Sequence, residues 1–350
     1  MRSPLIVTAD QVLLDELQRL AAAAGVVPEV VRDAGAALRA WGGAPVVVVG
    51  ADLAPALAGL GPRRRSGVHV LGWETVPHDA WQVGMAIGAE DVSTLPGSGA
   101  WLLEVLAEAA EGPPGAGTVL GVVGGSGGAG ATTFACALGL AAGRRGSACL
   151  LDVDALGPGA DRVLGRDRVD GVRWDALQRT TGRLSSRTLR ESLPRRDGLG
   201  VLTWAAGAST ALPPFAVREA LAAAVRGHEL VVVDLPRRAD ARGVELLGRC
   251  DRLLVVVRAS VPGVAAAART VAGLLGSAEL GLVVRGSGVE ARDVARTVGA
   301  PVLATMVDQR GLPEAVDLGL GPVRSRRSAL GRAADEVLSR VRAEAGPEAA

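Results

Sequence analysis

Gly121-Val122-Val123-Gly124-Gly125-Ser126-Gly127-Gly128-Ala129-Gly130-Ala131-Thr132-Thr133 decides the fold of this 350-residue chain. An apolar run ends in a glycine-rich turn that keeps the spacing Gly125, four residues, Gly130, one residue, Thr132. That is the frame of a phosphate-binding loop, G-x-x-x-x-G-K-[ST], whose backbone N–H groups surround a phosphate while the hydroxyl residue reaches Mg²⁺. Ala131 stands where the lysine belongs. A phosphate cradle is expected; competent hydrolysis is not.

The flanking sequence supplies the strand, loop, helix context that the motif requires. Residues 118–123 read as a buried strand and 132–142 as the following helix. Later strands are expected at 148–152, 200–203, 230–234, 252–257, 281–284 and 302–304, with helices at 214–225, 263–275 and 290–298. Before the loop, strands at 4–8, 27–31, 45–49, 68–73 and 91–93 alternate with helices at 11–24, 36–41 and 98–110. Alternation of this kind gives parallel sheets covered on both faces. The fold class is α/β, with a flavodoxin-like domain at 1–111 and a doubly wound P-loop domain at 118–342. Gly112-Pro113-Pro114-Gly115-Ala116-Gly117 is a linker by composition, and 343–350 is expected to be a disordered tail.

Hydrophobic residues make up 49% of the chain, enough to bury a core in each domain. With 38 basic and 37 acidic residues the net charge is +1, so no bulk field recommends nucleic acid or an anionic membrane. No run approaches the roughly 18 apolar residues of a membrane span, and the apolar run near Met1 is too short for a secretory h-region. A cytoplasmic protein is expected. Cys136, Cys149 and Cys250 lie far apart, with neither metal-ligand spacing nor a paired framework. The chain contains no lysine at all, so drift in composition accounts for part of the loss at 131, yet arginine was available and the loop does not use it.

Three segments carry a resemblance. Ser126-Gly127-Gly128-Ala129-Gly130-Ala131-Thr132-Thr133 matches the loop K-G-G-x-G-K-[ST]-[ST] apart from both lysines. Leu150-Leu151-Asp152-Val153-Asp154 resembles a D-x-D segment, and His228-Glu229-Leu230-Val231-Val232-Val233-Asp234-Leu235-Pro236 resembles a Walker B strand ending in D-x-P. In this order they resemble the MinD/ParA family of deviant-Walker P-loop ATPases over nearly all of 117–342. The resemblance implies ATP and Mg²⁺ as cofactors, held at Gly125, Ser126, Gly127, Gly128, Ala129, Gly130, Ala131, Thr132 and Thr133. It assigns the metal to Thr132, Asp152 and Asp234, partly through water, and the attacking water to Asp154. Arg285 follows a strand where the family often places an adenine-reading Asn.

The first domain is similar to a response-regulator receiver without its chemistry. The strand at 45–49 ends at Gly50 where a receiver presents its phosphoacceptor aspartate, and Leu95-Pro96 stands in place of Lys-Pro. Asp10 alone remains of the acidic pocket, with Asp52 two residues past the strand. A degenerate receiver before a degenerate MinD-like domain is the arrangement of the CpaE/TadZ group and of the actinobacterial septum-site-determining, CpaE-like proteins. The loop is most similar to the second.

Losing one charge-assisted contact costs about 1.5–3 kcal/mol, so ATP binding is expected to be weakened rather than abolished. Ser126 occupies the position of the family's first lysine, which reaches a dimer partner's phosphates; such a residue is comparable to an arginine finger worth about 10³–10⁵ in rate. Turnover near background follows. The bland alternative is a loop that survives only as a strand-to-helix turn. Arg144, Arg145, Arg237 and Arg238 are candidate compensating cations, each pair otherwise a solvated face. Arg63-Arg64-Arg65 and Arg324-Ser325-Arg326-Arg327 read as solvated loops. Residues 330–341 form an amphipathic helix that lacks bulky aromatics, so it is expected to pack on the sheet.

The resemblance therefore implies a spatial regulator of septum-site selection in cell division, recruited to the septum or a pole. Its partners would be proteins of the division machinery, a homodimer is compatible with it, DNA is not expected, and membrane contact is peripheral at most. Two alternatives stand beside it: a localisation factor for Tad/Flp pilus or secretion machinery, and an active ParA/MinD-type cycling ATPase.

Overall fold

Short runs of valine, leucine and isoleucine, buried on both faces, form the centre of each half of the chain. The computed structural model describes residues 3–110, 117–167, 169–178, 184–205, 207, 212–237 and 241–344; most of the expected linker lies outside the described residues. The chain divides into two units, Met1–Pro114 and Gly115–Ala350.

The first unit runs β1 (Leu5–Val7), α1 (Gln11–Ala23), β2 (Glu29–Val31), α2 (Ala34–Trp41), β3 (Val47–Gly50), α3 (Ala54–Leu60), β4 (Val68–Trp73), α4 (Ala80–Ile87), β5 (Asp91–Leu95) and α5 (Gly99–Ala110). Its strands pair in the parallel order β2-β1-β3-β4-β5. Side chains alternate along each strand. Val47 and Val49 face a core with Leu5, Val7, Trp41 and Leu57, while Val48 joins Ile6, Leu13, Leu17, Leu102 and Leu106 on the other face. Helices α3 and α4 are absent from the sequence reading. Both are short and bury mostly alanine or glycine, so their apolar stripes are faint; what bounds them is chain chemistry, Pro55 in the first turn of α3, then Gly61 and Gly88 in left-handed conformation at the two C-termini.

The second unit continues with β6 (Thr118–Gly124), α6 (Ala131–Gly143), β7 (Ala148–Asp152), α7 (Ala160–Val163), a 3-10 turn at Trp174–Leu177, α8 (Ser186–Ser192), β8 (Arg195–Arg196), β9 (Leu199–Leu202), α9 (Pro214–Gly227) and β10 (Leu230–Asp234). Then come α10 (Ala241–Leu247), β11 (Arg252–Arg258), α11 (Val261–Ala272), β12 (Glu279–Arg285), α12 (Ala291–Val298), β13 (Val302–Met306), α13 (Leu312–Asp317) and α14 (Ala329–Glu344). The sheet order is β13-β12-β11-β6-β10-β7-β9-β8, parallel throughout except for the antiparallel edge strand β8. The chain leaves β6 toward β7 on one side and returns to β11 on the other. The end of β6 is thus a topological switch point, where ligands of open parallel sheets bind.

Val119 and Val123 of β6 face one core; Leu120 and Val122 face the other, together with α6 and α14. Leu330, Ala334, Val337 and Leu338 of α14 are buried there, so the C-terminal helix packs on the sheet as its composition implied. The expected tail at 343–350 needs correction at its start. The helix continues to Glu344, whose carboxylate pairs with Arg252 at the foot of β11; residues 345–350 lie outside the described residues.

Candidate functional site

The glycine loop, Thr132, Asp152, Asp154 and Asp234 sit at the C-terminal edge of the sheet of the second unit, because parallel strands deliver the following loops to the same edge. Gly125 N–H donates to Val256 O at 2.9 Å, joining the start of the loop to β11. A Cβ on Gly125 would come within 2.7 Å of the Ala267 Cβ, so only glycine lets α11 pack this close. Gly128 and Gly130 take the left-handed φ of 68° and 94° that turns the chain into α6. Around Gly127 and Gly128 no protein atom lies within 4 Å of a Cβ position. The loop is open to solvent at these two exposed glycines, and the first turn of α6 has no side-chain cap. Its unsatisfied N–H groups and dipole are an anion-binding arrangement.

Thr132 hydrogen-bonds to the Asp234 carboxylate. Asp234 ends β10 and stands in register with Asp152 at the end of β7. Both are essentially buried, at 1% exposure each. Asp152 Oδ2 accepts from the Thr203 hydroxyl at 2.7 Å and from Ala160 N–H at 2.8 Å, and the Asp154 N–H also donates to its carboxylate. Asp234 is worse served: Oδ2 has no hydrogen-bond partner among the described residues. Burial pushes the Asp152 carboxyl up to about 6 against those hydrogen bonds, with the charge of Asp154 adding to the rise. Burial, then the neighbouring charge of Asp152, pushes Asp234 well above the carboxylate range, opposed by Thr132. Asp154 is half-buried and accepts from Leu156 N–H at 3.2 Å, a local turn that leaves it at the rim.

The structure thus brings together the loop, Thr132, Asp152, Asp154 and Asp234. Ser126 and Ala131, where lysines were sought, are half-buried in the loop. Two of the cations proposed to compensate, Arg144 and Arg145, lie elsewhere. Arg145 pairs with Asp335 at 2.9 Å and Arg144 lies 4.0 Å from the same carboxylate; both follow the last turn of α6, about 20 Å of helix from the loop. Arg237 is exposed, and Arg238 lies outside the described residues. Two residues were missed: Thr203 holds Asp152, and Trp174 Nε1 donates to the Asp152 carbonyl at 2.6 Å. Thr203 follows a buried strand end, which is a usable signal; nothing in the local sequence of Trp174 points to the site. Arg285, noted from the sequence at the adenine-reading position, donates through Nη1 to Ala129 O at 3.3 Å, on the loop itself.

In the first unit the vacated receiver pocket is filled from within. A Cβ on Gly50 would collide with Asp52 Oδ1 and Thr8 Oγ1. Asp52 Oδ1 accepts from the Thr8 hydroxyl at 2.8 Å, and Oδ2 accepts from the N–H groups of Ala9 at 2.7 Å and Asp10 at 3.2 Å. Asp10 caps α1 by accepting from Val12 and Leu13 N–H. Both carboxylates are thus engaged within the unit, Asp52 in tying the ends of β1 and β3 and Asp10 in capping α1. The remaining arginine cluster of this unit is also partly structural, since Arg65 donates to the carbonyls of Trp41, Pro45 and Ser66.

Residues 7–117 match the family described as Rv3660c-like, CheY-like N-terminal domain. Over 340 residues the chain is 37% identical to the uncharacterized protein Rv3660c of Mycobacterium tuberculosis strain ATCC 25618 / H37Rv, covering 94% of this chain and 95% of that one. The second unit is similar in fold to a ParA family ATPase from Chlorobium tepidum TLS, with 17% identity and a TM-score of 0.56 over 63% of this chain and 97% of the other. It is equally similar to the septum site-determining protein MinD complexed with Mg-ADP from Pyrococcus horikoshii OT3, at 18%, 0.56, 65% and 97%. MinD in the MinC:MinD cell division protein complex of Aquifex aeolicus gives 18%, 0.55, 66% and 97%. The chain belongs to the Rv3660c-like family, and it joins a CheY-like domain to a MinD/ParA P-loop fold.

A carboxyl group whose folded-state pKa is raised favours the folded state at low pH, and that advantage is lost as pH rises from about 4 through about 6. Metal-free Asp152→Asn is therefore expected to be more stable than wild type at pH 7.5, by up to about 3 kcal/mol in urea unfolding. The difference should close below about pH 4; a difference that does not change with pH would remove the buried charge as its cause. Buried His228, held near 4 by desolvation, titrates in both proteins and cancels from the comparison.

Asp52→Ala is expected to lower the stability of the first unit by about 1–2 kcal/mol, the scale of one charge-assisted hydrogen-bond network at a partly exposed site. Acetyl phosphate should label neither wild type nor variant, as read by intact mass; wild-type labelling lost in Asp52→Ala would restore a phosphorelay role.

Proposed function

We propose that this Rv3660c-like protein is an atypical MinD-like spatial regulator that binds a magnesium nucleotide weakly, hydrolyses it negligibly and governs septum-site selection in cell division through protein contacts. The observation that carries the reading is the unpartnered Oδ2 of Asp234, buried beside Thr132 beneath a phosphate-type loop. An orphaned, buried carboxylate oxygen is costly unless a positive partner meets it. Among the described residues no three His, Cys, Asp or Glu side chains gather to hold a metal, so this is no all-protein cage. Mg²⁺ characteristically uses one or two protein oxygens and leaves the rest of its shell to phosphate and water. Thr132 and Asp234 fit that need directly, and Asp152, already engaged by Thr203 and Ala160, fits a water-mediated contact.

When bound, the magnesium nucleotide supplies the positive charge that Asp234 lacks and an anion for the first turn of α6. The loop from Gly125 to Thr133 binds through backbone N–H groups and needs no lysine for that part. Asp154, at the rim, is placed to orient a water. Neither Ser126 nor Ala131 can stabilise charge developing on a transferred phosphoryl group, and that electrostatic contribution dominates phosphoryl transfer. A site that binds and scarcely turns over suits a scaffold better than a cycling motor. Support for septum control comes from the MinD neighbours, two of which carry a septum or MinC:MinD assignment in their own names. Support for protein partners comes from the same complex and from a receiver pocket committed to internal bonds. We place the protein in the cytoplasm, recruited to the septum or a pole. No helix among the described residues is long and apolar enough to cross a membrane, and α14 buries its apolar face on the sheet, which limits membrane contact to the periphery.

Fluorescent ATP with Mg²⁺ is expected to bind wild type saturably at micromolar to millimolar concentrations, with Thr132→Ala and Asp234→Ala each weakening it at least tenfold. Phosphate release should stay at the level of a protein-free blank. Absence of binding at millimolar nucleotide would leave the loop as a structural turn, and release abolished by Asp154→Ala would make the protein a working ATPase.

Overexpression is expected to give filamentous cells, scored by microscopy. Loss of pili with normal division would move the protein to the pilus or secretion localisation class.

A further inference from the structure

Arg285 closes β12 one strand beyond the neighbour of β6, so the parallel sheet delivers its side chain to the same edge as the loop. Its Nη1 donates to Ala129 O at 3.3 Å, and a Cβ on Gly130 would lie 3.0 Å from the same nitrogen. The guanidinium therefore rests on the turn where the loop becomes α6. Its Nε donates to Asp308 Oδ1 at 2.6 Å. Those two bonds fix the plane of the fork and leave three of its five N–H bonds without a partner among the described residues. The side chain is 31% exposed, so those donors are open to a ligand from solvent.

This placement is electrostatically incomplete. The uncapped N-terminus of α6 carries partial positive charge, and Arg285 adds a full positive charge beside it. The one counter-charge bonded to Arg285, Asp308, is 63% exposed and well screened. Two positive elements converge on open space and call for an anion. We propose that Arg285, although it follows the strand where the resemblance puts an adenine-reading Asn, turns to the loop at Ala129 and Gly130 and is the phosphate-binding cation of this site, taking over the charge that Ser126 and Ala131 no longer supply. Its ligand is the polyphosphate of a nucleoside di- or triphosphate, gripped by a planar fork instead of an ammonium. Asp308 is a positioning residue, holding Nε so that the Nη groups face the loop. The assignment rests on the nucleotide-binding reading and deepens it.

The test is titration of Mg-ADP into full-length wild type, Arg285→Ala, Arg285→Gln and the double variant Arg285→Ala/Ala131→Lys, with thermal unfolding to verify folding. Arg285→Gln removes the charge but keeps an amide donor on a shorter polar side chain, a milder change than Arg285→Ala if that variant disturbs the turn. The expected loss in Mg-ADP affinity is about ten- to 150-fold for both single variants. Ala131→Lys should recover most of it, and the affinity of wild type should fall more steeply with KCl than that of the single variants. Wild-type affinity in Arg285→Gln, or a loss that Ala131→Lys does not restore, overturns the assignment while nucleotide binding stands. Failure of wild type itself to bind millimolar Mg-ADP overturns the nucleotide reading, and this assignment with it.

Discussion

Two carboxylates buried side by side govern the working edge of the second unit. The parallel pairing of β7 with β10 sets Asp152 against Asp234 with no freedom to separate, and burial raises the cost of ionising either. Much of the local structure answers that cost. Thr203, the Ala160 N–H and the Asp154 N–H converge on Asp152, while Thr132 reaches down from the loop to Asp234. One oxygen is left over. A fold that keeps such an oxygen retains a strain that a hydrophobic residue would remove, which is the usual mark of a site kept for ligand rather than for stability.

The two units show one physical pattern at different positions. In each, the residue expected to carry the chemistry has gone and a side chain from elsewhere fills the vacated place. Gly50 leaves space at the end of β3, and the Asp52 carboxylate takes it, tying the N–H groups of Ala9 and Asp10. Ala131 leaves the loop without its cation, and Arg285 lies against Ala129 from β12. The consequences differ in sign. In the first unit the replacement satisfies the backbone and closes the pocket. In the second it leaves Gly127 and Gly128 open and adds N–H donors, unpartnered among the described residues, beside the loop.

The architecture was legible from the chain because its signals are local. Valine-rich runs of four to seven residues bounded by glycine, and a glycine loop between a strand and a helix, identify a parallel sheet with a phosphate-type turn without reference to anything distant. The elements that escaped notice lack such signals. Helices α3 and α4 are only seven and eight residues long and bury two and three residues each, mostly alanine or glycine, and a two-residue edge strand such as β8 has no periodicity to detect. The last turn of α14 was assigned to a tail because its hold, the Glu344 pair with Arg252, joins residues more than ninety positions apart.

The same division runs through the site. Sequence alone determined the glycine frame, the aspartates at the strand ends and the absence of lysine, since each is a matter of residue type at fixed spacing along one strand or turn. It also offered Arg144 and Arg145 as compensating cations, and these pair with Asp335 instead. Tertiary structure decided which arginine meets the loop, which aspartate keeps an unpartnered oxygen, and that Thr203 and Trp174 hold Asp152. Those outcomes depend on strand order: β12 and β9 come to the loop's edge only once the sheet has been wound in both directions from β6, and no spacing along the chain records that winding.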